Sequence, residues 1–498
     1  MPPINKLSDC IYCLAQEGRM RVPLHIIADE KTLERMQSDK CLEQGINMAT
    51  LPGILEHAVL MPDAHQGYGF PIGGVAAFDA KHGVISPGGI GYDINCSVSL
   101  LSTNLDKADV EPKIHEILEQ IFARVPCGVG EGGAVKLSFE ELDEVLNTGI
   151  EWAIKKGYAD ENDRQCTEEY GVMRHADSDK ISKKAKERGK GQLGTLGAGN
   201  HFLEIQIVDK IFDAEIAEIF GLYHEGQICV MVHCGSRGLG HQNCTDYLRI
   251  AETHFPDITR GLADRELAYF PAESPEAKDY FAAMCAAANF AFANHRVICW
   301  NIRRAFREVF KVAPLRRGIN CLASSRLAGL GLNDKIQLPL VYHIAHNMVK
   351  LEEFEINGVK KQVFLHRKGA TRALPPDHKN NPARYMKTGH PILLPGSMGT
   401  ASYVLAGTEK AAKETFCSTP HGSGRLMSRH EANRKFRGEK LKSELEHQKI
   451  YIRSASWRGI SEEAPLAYKN VDEIAQIAHS AGIGKIVARL KPFGVIKG

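Results

Sequence analysis

The sequence predicts an α+β fold, a single large mixed-sheet domain with a helical insertion near residues 240–335. Three observations lead there. Stretches of helical periodicity alternate with short β-like runs, but irregularly, without the steady strand–helix–strand beat of a doubly wound sheet. The longest helical pattern falls inside 240–335. No internal repeat, low-complexity tract or Pro/Gly/Ser-rich linker divides the 498 residues, whose 43% apolar and 24% charged content is that of an ordinary globular protein.

Taken along the chain, the strand candidates come first, at Gly74–Phe78 and Ser97–Ser102. Apolar residues at three- and four-residue spacing then predict helices over Val110–Val125 and Phe139–Lys155. Phe202–Val208 alternates apolar and polar residues as a half-buried strand does, while Gln227–His233 carries the apolar run Ile228-Cys-Val-Met-Val. Helical periodicity returns at Asn243–His254 and Glu276–Phe310. The apolar stretch Ala282–Ala293 inside the latter is shorter than the roughly 20 residues a membrane span needs, so it reads as a buried helix. Strands are expected at Leu338–His343 and Gln362–His366, and helices at Glu409–Phe416, His430–His447 and Val471–Ala481.

A net charge of +2 excludes a global basic field of the kind that marks many nucleic-acid binders. Local clusters permit contact with a polyanion without demonstrating it: Lys180–Arg188, Arg303-Arg304 with Arg316-Arg317, His366–Arg372 and Arg425–Lys442. Thirteen cysteines, an odd number at irregular spacing, suit free thiols in a reducing compartment better than a disulfide framework. The lone Cys10-Ile-Tyr-Cys13 has no partner pair at zinc-site spacing. With no visible signal peptide, the expectation is a soluble cytoplasmic protein, or a nuclear one if the source is eukaryotic.

Five segments join glycines to polar groups: Pro62–Gly69, Pro87–Cys96, Gly194–His201, Pro395–Ser402 and His421–Arg425. Glycine permits positive φ and lets bare N–H groups approach an anion closely. None of the five matches the Walker or dinucleotide-binding pattern. Candidate metal ligands stand at strand ends. Asp93 and Cys96 lie in the loop before Val98-Ser-Leu-Leu, His201 opens Phe202-Leu-Glu-Ile-Gln, His233 closes Ile228-Cys-Val-Met-Val, and His346 follows a further apolar run. A rigid strand can aim such a group while its end stays open to substrate. A thiolate can bridge two divalent ions, and a carboxylate with neutral imidazoles can complete their shells. Two ions a few Å apart clamp a phosphoryl group. Spacing leaves the histidines equivalent and does not show that these residues converge.

Longer strings carry a resemblance. Pro87–Cys96, Gly194–Glu204, Val232–Gln242, His366–Arg372, Pro395–Tyr403, His421–Arg425 and the C-terminal Ile496-Lys-Gly498 resemble the RtcB family of RNA ligases, in order, from about Pro62 to the last residue. The resemblance implies the RtcB-type fold over the whole chain. It also implies a GTP- and Mn²⁺-dependent ligase that joins an RNA 3′-phosphate or 2′,3′-cyclic phosphate to a 5′-hydroxyl, in tRNA splicing or RNA repair. By motif position it implies His421 as the nucleophile that carries GMP, and two Mn²⁺ ions on Asp93, Cys96, His201, His233 and His346 with Cys96 bridging. The nucleotide contacts carried over are Asn200, His201, Phe202, Leu203, Glu204, His346, Asn347, Pro395, Gly396, Ser397, Met398, Ser402, His421, Gly422, Ser423, Gly424, Tyr468 and Lys497. The partners it implies are RNA and GTP, with an archease-type activator protein for some members. A carboxylate such as Glu204 can accept from guanine N1–H and N2–H₂, which adenine does not offer. Arg237, Arg367 and Arg425 are the candidate RNA-phosphate contacts.

Three positions depart from the family pattern: Ser97 stands where glycine is expected, Cys234 where serine or threonine is usual, and Pro420 where cysteine is usual. The first sixty residues match least well, and Lys497, so near the chain end, would ordinarily belong to a frayed tail. Two other readings stand beside the ligase: a dinuclear metallo-phosphoesterase using the same ligands, and an RNA-binding scaffold without chemistry.

Overall fold

In the computed structural model, which describes residues 3–128, 130, 132–312 and 336–498, two large sheets carry the molecule. Residues 313–335 of the expected insertion, with Arg316 and Arg317, lie outside the described residues. The α+β class is as expected.

The central sheet has eight strands. Seven run in the order Leu340–Ala345, Ser97–Asp106, Gln227–Cys234, Phe202–Ile211, Lys485–Lys497, Ser402–Ala406 and Pro391–Leu394; Tyr451–Ser454 pairs in parallel with the end of Lys485–Lys497. The second sheet has seven strands, in the order Ile4–Ser8, Ile11–Leu14, Leu24–Ile27, Ala58–His65, Ile72–Asp79, Val359–Lys368 and Asn347–Ile356. One apolar cluster joins the sheets: Val59, Met61, Val75 and Leu365 of one pack with Ile392, Leu394 and Leu405 of the other and with helix Val471–Ala481.

Helix Pro275–Val309, 35 residues long, contains the Ala282–Ala293 stretch, buried as expected. Ser274 caps its start by accepting from Ala277 N–H, with Pro275 in the first turn. Its buried Asn294 accepts from Gly194 N–H at 2.7 Å and Thr195 N–H at 3.2 Å, fixing the loop that leads to His201.

The elements differ from expectation in several places. Phe139–Lys155 is two helices, Phe139–Thr148 and Ile150–Lys155, parted at Gly149. Helix Arg237–His254 begins six residues before Asn243, through Gly238 and Gly240, where no apolar period announces it. His430–His447 is two helices, Arg429–Lys435 and Gly438–His447. Among the described residues thirteen strands went unanticipated, including Ala58–His65 and the 13-residue Lys485–Lys497. Both are buried along most of their length, so alternation is lost, and Pro62, Pro492 and Gly494 argue against strand locally. The second absorbs its proline and glycine at a register shift between Pro492 and Gly494. Lys497 therefore ends a central strand and is only 2% exposed, the opposite of a frayed tail.

Buried charges tie these layers together. Asp163 accepts from both terminal nitrogens of Arg303, at 2.6 and 2.7 Å, with Arg296 at 3.7 Å. Glu168 pairs with Lys350 and accepts from Ala345 N–H at 2.7 Å, one residue before His346. Breaking such a pair from one side leaves an uncompensated charge in the interior. Asp163→Asn is expected to lower the unfolding free energy by about 3–5 kcal/mol in denaturant titration, and a loss below about 1 kcal/mol would show the pair to be idle.

Candidate active site

Strand register assembles the first half of the site. Ala345 pairs with Ser97, Val98 with His233, His233 with Phe202, and Phe202 with Lys497, across five adjacent strands. His346, Cys96, His233, His201 and Lys497 therefore come to one edge of the central sheet. Cys96 Sγ lies 3.2 Å from His233 Nε2 and 3.5 Å from His201 Nε2. His233 Nε2 and His346 Nε2 are 3.2 Å apart, and His201 Nε2 is 2.8 Å from Asp93 Oδ2. The donor atoms form two sets, Cys96/His233/His346 and Asp93/Cys96/His201, with Cys96 common to both.

Asp93 reaches this place because Gly235 has no side chain; a Cβ there would stand 2.5 Å from both Asp93 carboxylate oxygens. His201 Nδ1 lies 3.1 Å from the Leu196 carbonyl, an arrangement that turns Nε2 toward Asp93 and Cys96.

This donor set fits a pair of divalent cations. Burial, with repulsion from neighbouring histidines, holds His233 and His346 far below the usual imidazole range, which favours two neutral rings with nitrogens facing each other. Asp93 Oδ1 is buried and makes no hydrogen bond. At His201 burial opposes charge, but the Asp93 carboxylate outweighs it and raises the imidazole to about 9. Burial and Asp93 also push the Cys96 thiol well up.

The second half of the site is His421, which follows the short strand Ser418–Pro420. Its Nδ1 lies 2.6 Å from Asp63 Oδ2, and the same oxygen accepts from the His421 and Gly422 N–H groups at 2.9 and 3.3 Å. A fully buried carboxylate thus fixes the ring through Nδ1 and turns Nε2 away from Asp63. The His421 ring centroid is 5.0 Å from that of His346.

A cavity of about 760 Å³ opens beside both halves. Of the residues expected at the nucleotide, its wall contains Asn200, Phe202, Asn347, Pro395, Gly396, Ser397, Met398, His421, Gly422, Ser423, Gly424, Tyr468 and Lys497. Glu204 and Ser402 stand one layer behind: Gln206 Nε2 donates to Glu204 at 2.7 Å and to Ser402 Oγ at 3.0 Å, and Ser402 Oγ accepts from Gly396 N–H. Leu203 faces the other way, into the core, as alternation along its strand requires. Burial raises Glu204 to about 7, against the opposing pull of Gln206 and Lys497.

Residues 44–498 match the family model for tRNA-splicing ligase RtcB. The chain belongs to the RtcB family of tRNA-splicing ligases. It is 52% identical over 499 residues to the tRNA-splicing ligase RtcB of Thermococcus kodakarensis, covering 100% of this chain and 99% of that one. It is 49% identical over 500 residues to the Pyrobaculum aerophilum protein of the same name, again covering 100% and 99%. The Archaeoglobus fulgidus protein of that name is 47% identical over 497 residues, covering 99% of each. The similarity to these RtcB ligases thus includes the first sixty residues, which the motifs had left in doubt.

Two carboxylates of the site carry no motif. Asp63 is separated from His421 by 358 positions, and its only signal was its place in a glycine-containing segment. Glu463, 2% exposed, binds Arg425 at 3.0 Å, Arg429 at 3.4 Å and the Tyr468 hydroxyl, with Lys497 at 3.7 Å. Arg425 accordingly belongs to the cavity wall. Arg367 does not reach any surface: it is buried and bound to Glu352, Ser418 Oγ and the Phe416 carbonyl. Arg237 lies beside His201, its guanidinium 2.8 Å from Nδ1. The family departures are absorbed locally. Cys234 Sγ points to the Thr195 and Leu196 carbonyls and belongs to neither ligand set, and Ser97 Oγ donates to the Asn95 carbonyl.

Ligands must shed their protons to bind metal. Adding Mn²⁺ at pH 7.5 is expected to release protons, because His201 is raised to about 9 and the Cys96 thiol is raised further. Affinity should therefore rise with pH toward 9. Calorimetry in two buffers of different ionisation enthalpy reads the release directly, and equal heats in both would exclude it.

Proposed function

We infer that this chain is a GTP- and Mn²⁺-dependent RNA ligase that joins a 3′-phosphate or 2′,3′-cyclic phosphate end to a 5′-hydroxyl through GMP held on His421. The observation that carries the reading is the Asp63–His421 pair, set beside a shared-thiol ligand cluster at the mouth of a nucleotide-sized cavity. The whole chain is read as one catalytic domain, with the helices of 240–312 packed into its core.

Asp93, Cys96, His201, His233 and His346 would hold the two cations, whose charge offsets that of the reacting phosphates. With Nδ1–H directed at Asp63, His421 Nε2 attacks the α-phosphorus of GTP; the new N–P bond replaces the bond to pyrophosphate, which leaves. Asp63 stabilises the positive charge this places on the imidazole, as an orienting carboxylate does in a catalytic triad. An oxygen of the RNA 3′-phosphate then takes GMP from His421, breaking the N–P bond. The 5′-hydroxyl oxygen attacks the activated 3′-phosphate, loses its proton and displaces GMP. A cyclic end is first opened by water.

Guanine selection is assigned to Glu204 behind the cavity wall: a guanine that displaces Gln206 from its carboxylate would give it N1–H and N2–H₂ to accept from. The large cavity offers the phosphates Lys497, Arg425 and the glycines of 422–424. The physiological setting proposed is tRNA splicing or RNA repair in the cytoplasm. An archease-type protein is the proposed activator, read as faster turnover on its addition.

A metallo-phosphoesterase has no use for a carboxylate-held histidine in a loop apart from the metal ligands, so adduct formation separates the two readings. Incubation with α-labelled GTP and Mn²⁺ should give an acid-labile adduct that maps to His421 and is absent in His421→Ala. No adduct in wild type, or an adduct surviving in the variant, defeats the ligase mechanism. Asp63→Ala should slow adduct formation by about 10²-fold or more while leaving the KM for GTP nearly unchanged.

Glu204 must be ionised to accept, and burial raises it to about 7. KM for GTP is therefore expected to fall as pH rises from 6 to 8, and Glu204→Gln should flatten that profile and erode the preference over ATP. A profile unchanged in the variant would assign the titration elsewhere.

A further inference from the structure

His346 and His421 have ring centroids 5.0 Å apart, yet each is carried by its own strand. His346 follows Leu340–Ala345, and His421 follows Ser418–Pro420, which pairs with Ala370–Arg372. One backbone link joins them: Ala370 N–H donates to the His346 carbonyl at 3.2 Å, and Ala370 pairs with Pro420. A network of buried charges runs between the same two points.

Lys350 and Glu352, two apart in strand Asn347–Ile356, share one face of the second sheet with Arg367, which stands opposite Met348 in the neighbouring strand. Glu168 accepts from Ala345 N–H at 2.7 Å, just before His346, and pairs with Lys350, with Arg372 at 3.7 Å. Arg372 also pairs with Glu169 and lies 3.9 Å from Glu352, which accepts from Arg367 at 2.6 Å. Arg367 closes the chain of contacts. Its Nε donates to Ser418 Oγ at 2.8 Å, and a terminal nitrogen donates to the Phe416 and Cys417 carbonyls at 3.1 and 3.4 Å. Those residues lead into Ser418–Pro420 and His421.

Both ends of the network hold backbone that ordinary residues avoid. φ is +54° and +53° at Glu169 and Tyr170, and +52° and +50° at Phe416 and Cys417. Such conformations persist where the surroundings over-determine them. Apart from Glu169, the charged side chains are at most 8% exposed. Burial opposes charge at Glu352, but Arg367 and Arg372 outweigh it and hold the carboxyl at about 2. Glu168, Glu169 and Glu352 balance Lys350, Arg367 and Arg372, so the network supplies position rather than net charge. None of the six lines the large cavity, and an effect on the chemistry must pass through His346 or His421.

We propose that this network is a positioning frame that sets His421 against His346, with Arg367 and Glu352 as positioning residues on the nucleophile side and Glu168 on the metal side. It rests on the ligase reading, in which His421 must meet a phosphate held beside the metal ligands. A misplacement of about 1 Å can cost such a step about 10²-fold.

Replacing one pair by apolar residues separates position from stability, because no unpaired charge is left buried. In the double variant Glu352→Met with Arg367→Met, thermal unfolding should stay close to wild type. Mn²⁺ affinity by calorimetry should also match, since Glu168 and Lys350 remain. The rate of GMP adduct formation at saturating GTP should fall by about 10²-fold. A crystal structure of the variant should show the two rings moved from their 5.0 Å separation. Ser418→Ala removes a single acceptor of Arg367 and should slow adduct formation by a smaller factor, which reads the frame even if the double variant does not fold. Leu142→Ala, a cavity in the core of helix Phe139–Thr148, should lower stability and leave the rate unchanged. A wild-type rate in the double variant, an unmoved ring pair, Mn²⁺ affinity lost in step with the rate, or an equal slowing in Leu142→Ala overturns the proposal. If wild type forms no adduct, the ligase reading fails and the ring separation alone decides the frame. Adduct formed equally fast with and without Arg367 removes the frame and leaves the ligase reading standing.

Discussion

Neighbouring strands of a sheet lie about 4.8 Å apart, and their register decides which residues stand side by side at an edge. In this chain the pairs Ala345–Ser97, Val98–His233 and His233–Phe202 set four strand ends level, so residues far apart in sequence become adjacent donors. Cys96 lies among them, within 3.5 Å of His201 and His233 nitrogens. A slip of one residue in any of these strands would turn its ligand to the opposite face. The rest of the molecule keeps that register: Asn294 of the long helix anchors the loop before His201, and Glu168 holds Ala345 N–H just before His346.

The site's electrostatics follow from the same crowding. Two imidazoles whose nitrogens meet at 3.2 Å cannot both be charged, and burial drives each toward neutrality. His201 sits only a few Å away yet is raised, because Asp93 faces it directly. Histidines that look alike by strand-end position thus separate by their neighbours. His421 takes a third environment, a single carboxylate oxygen that binds its ring and two successive backbone N–H groups. That arrangement fits a nucleophile rather than a ligand. The second buried carboxylate, Glu463, has different partners, gathering Arg425, Arg429 and Tyr468 instead of a histidine.

Much of this was legible in the sequence. The α+β class, the long buried helix and six of the strands show their periodicity, and long motif strings carry the family likeness that the comparisons established. Strands buried on both faces, such as Ala58–His65 and Lys485–Lys497, were not legible, since burial removes the alternation and proline within them reads as a break. Arg367 illustrates the reverse error. Its basic motif suggested a phosphate contact, but Glu352 beside it in the folded chain makes it an internal ion pair.

The residue types for metal and phosphate chemistry, their place at strand ends and the membership in a ligase family were settled by the sequence, because these are local properties of the chain. Convergence was not. Asp63 meets His421 across 358 positions, Glu463 collects residues from both flanking segments, and Arg367 joins Glu352 to Ser418. Those pairings come from long-range register and packing, which no spacing within a single segment encodes.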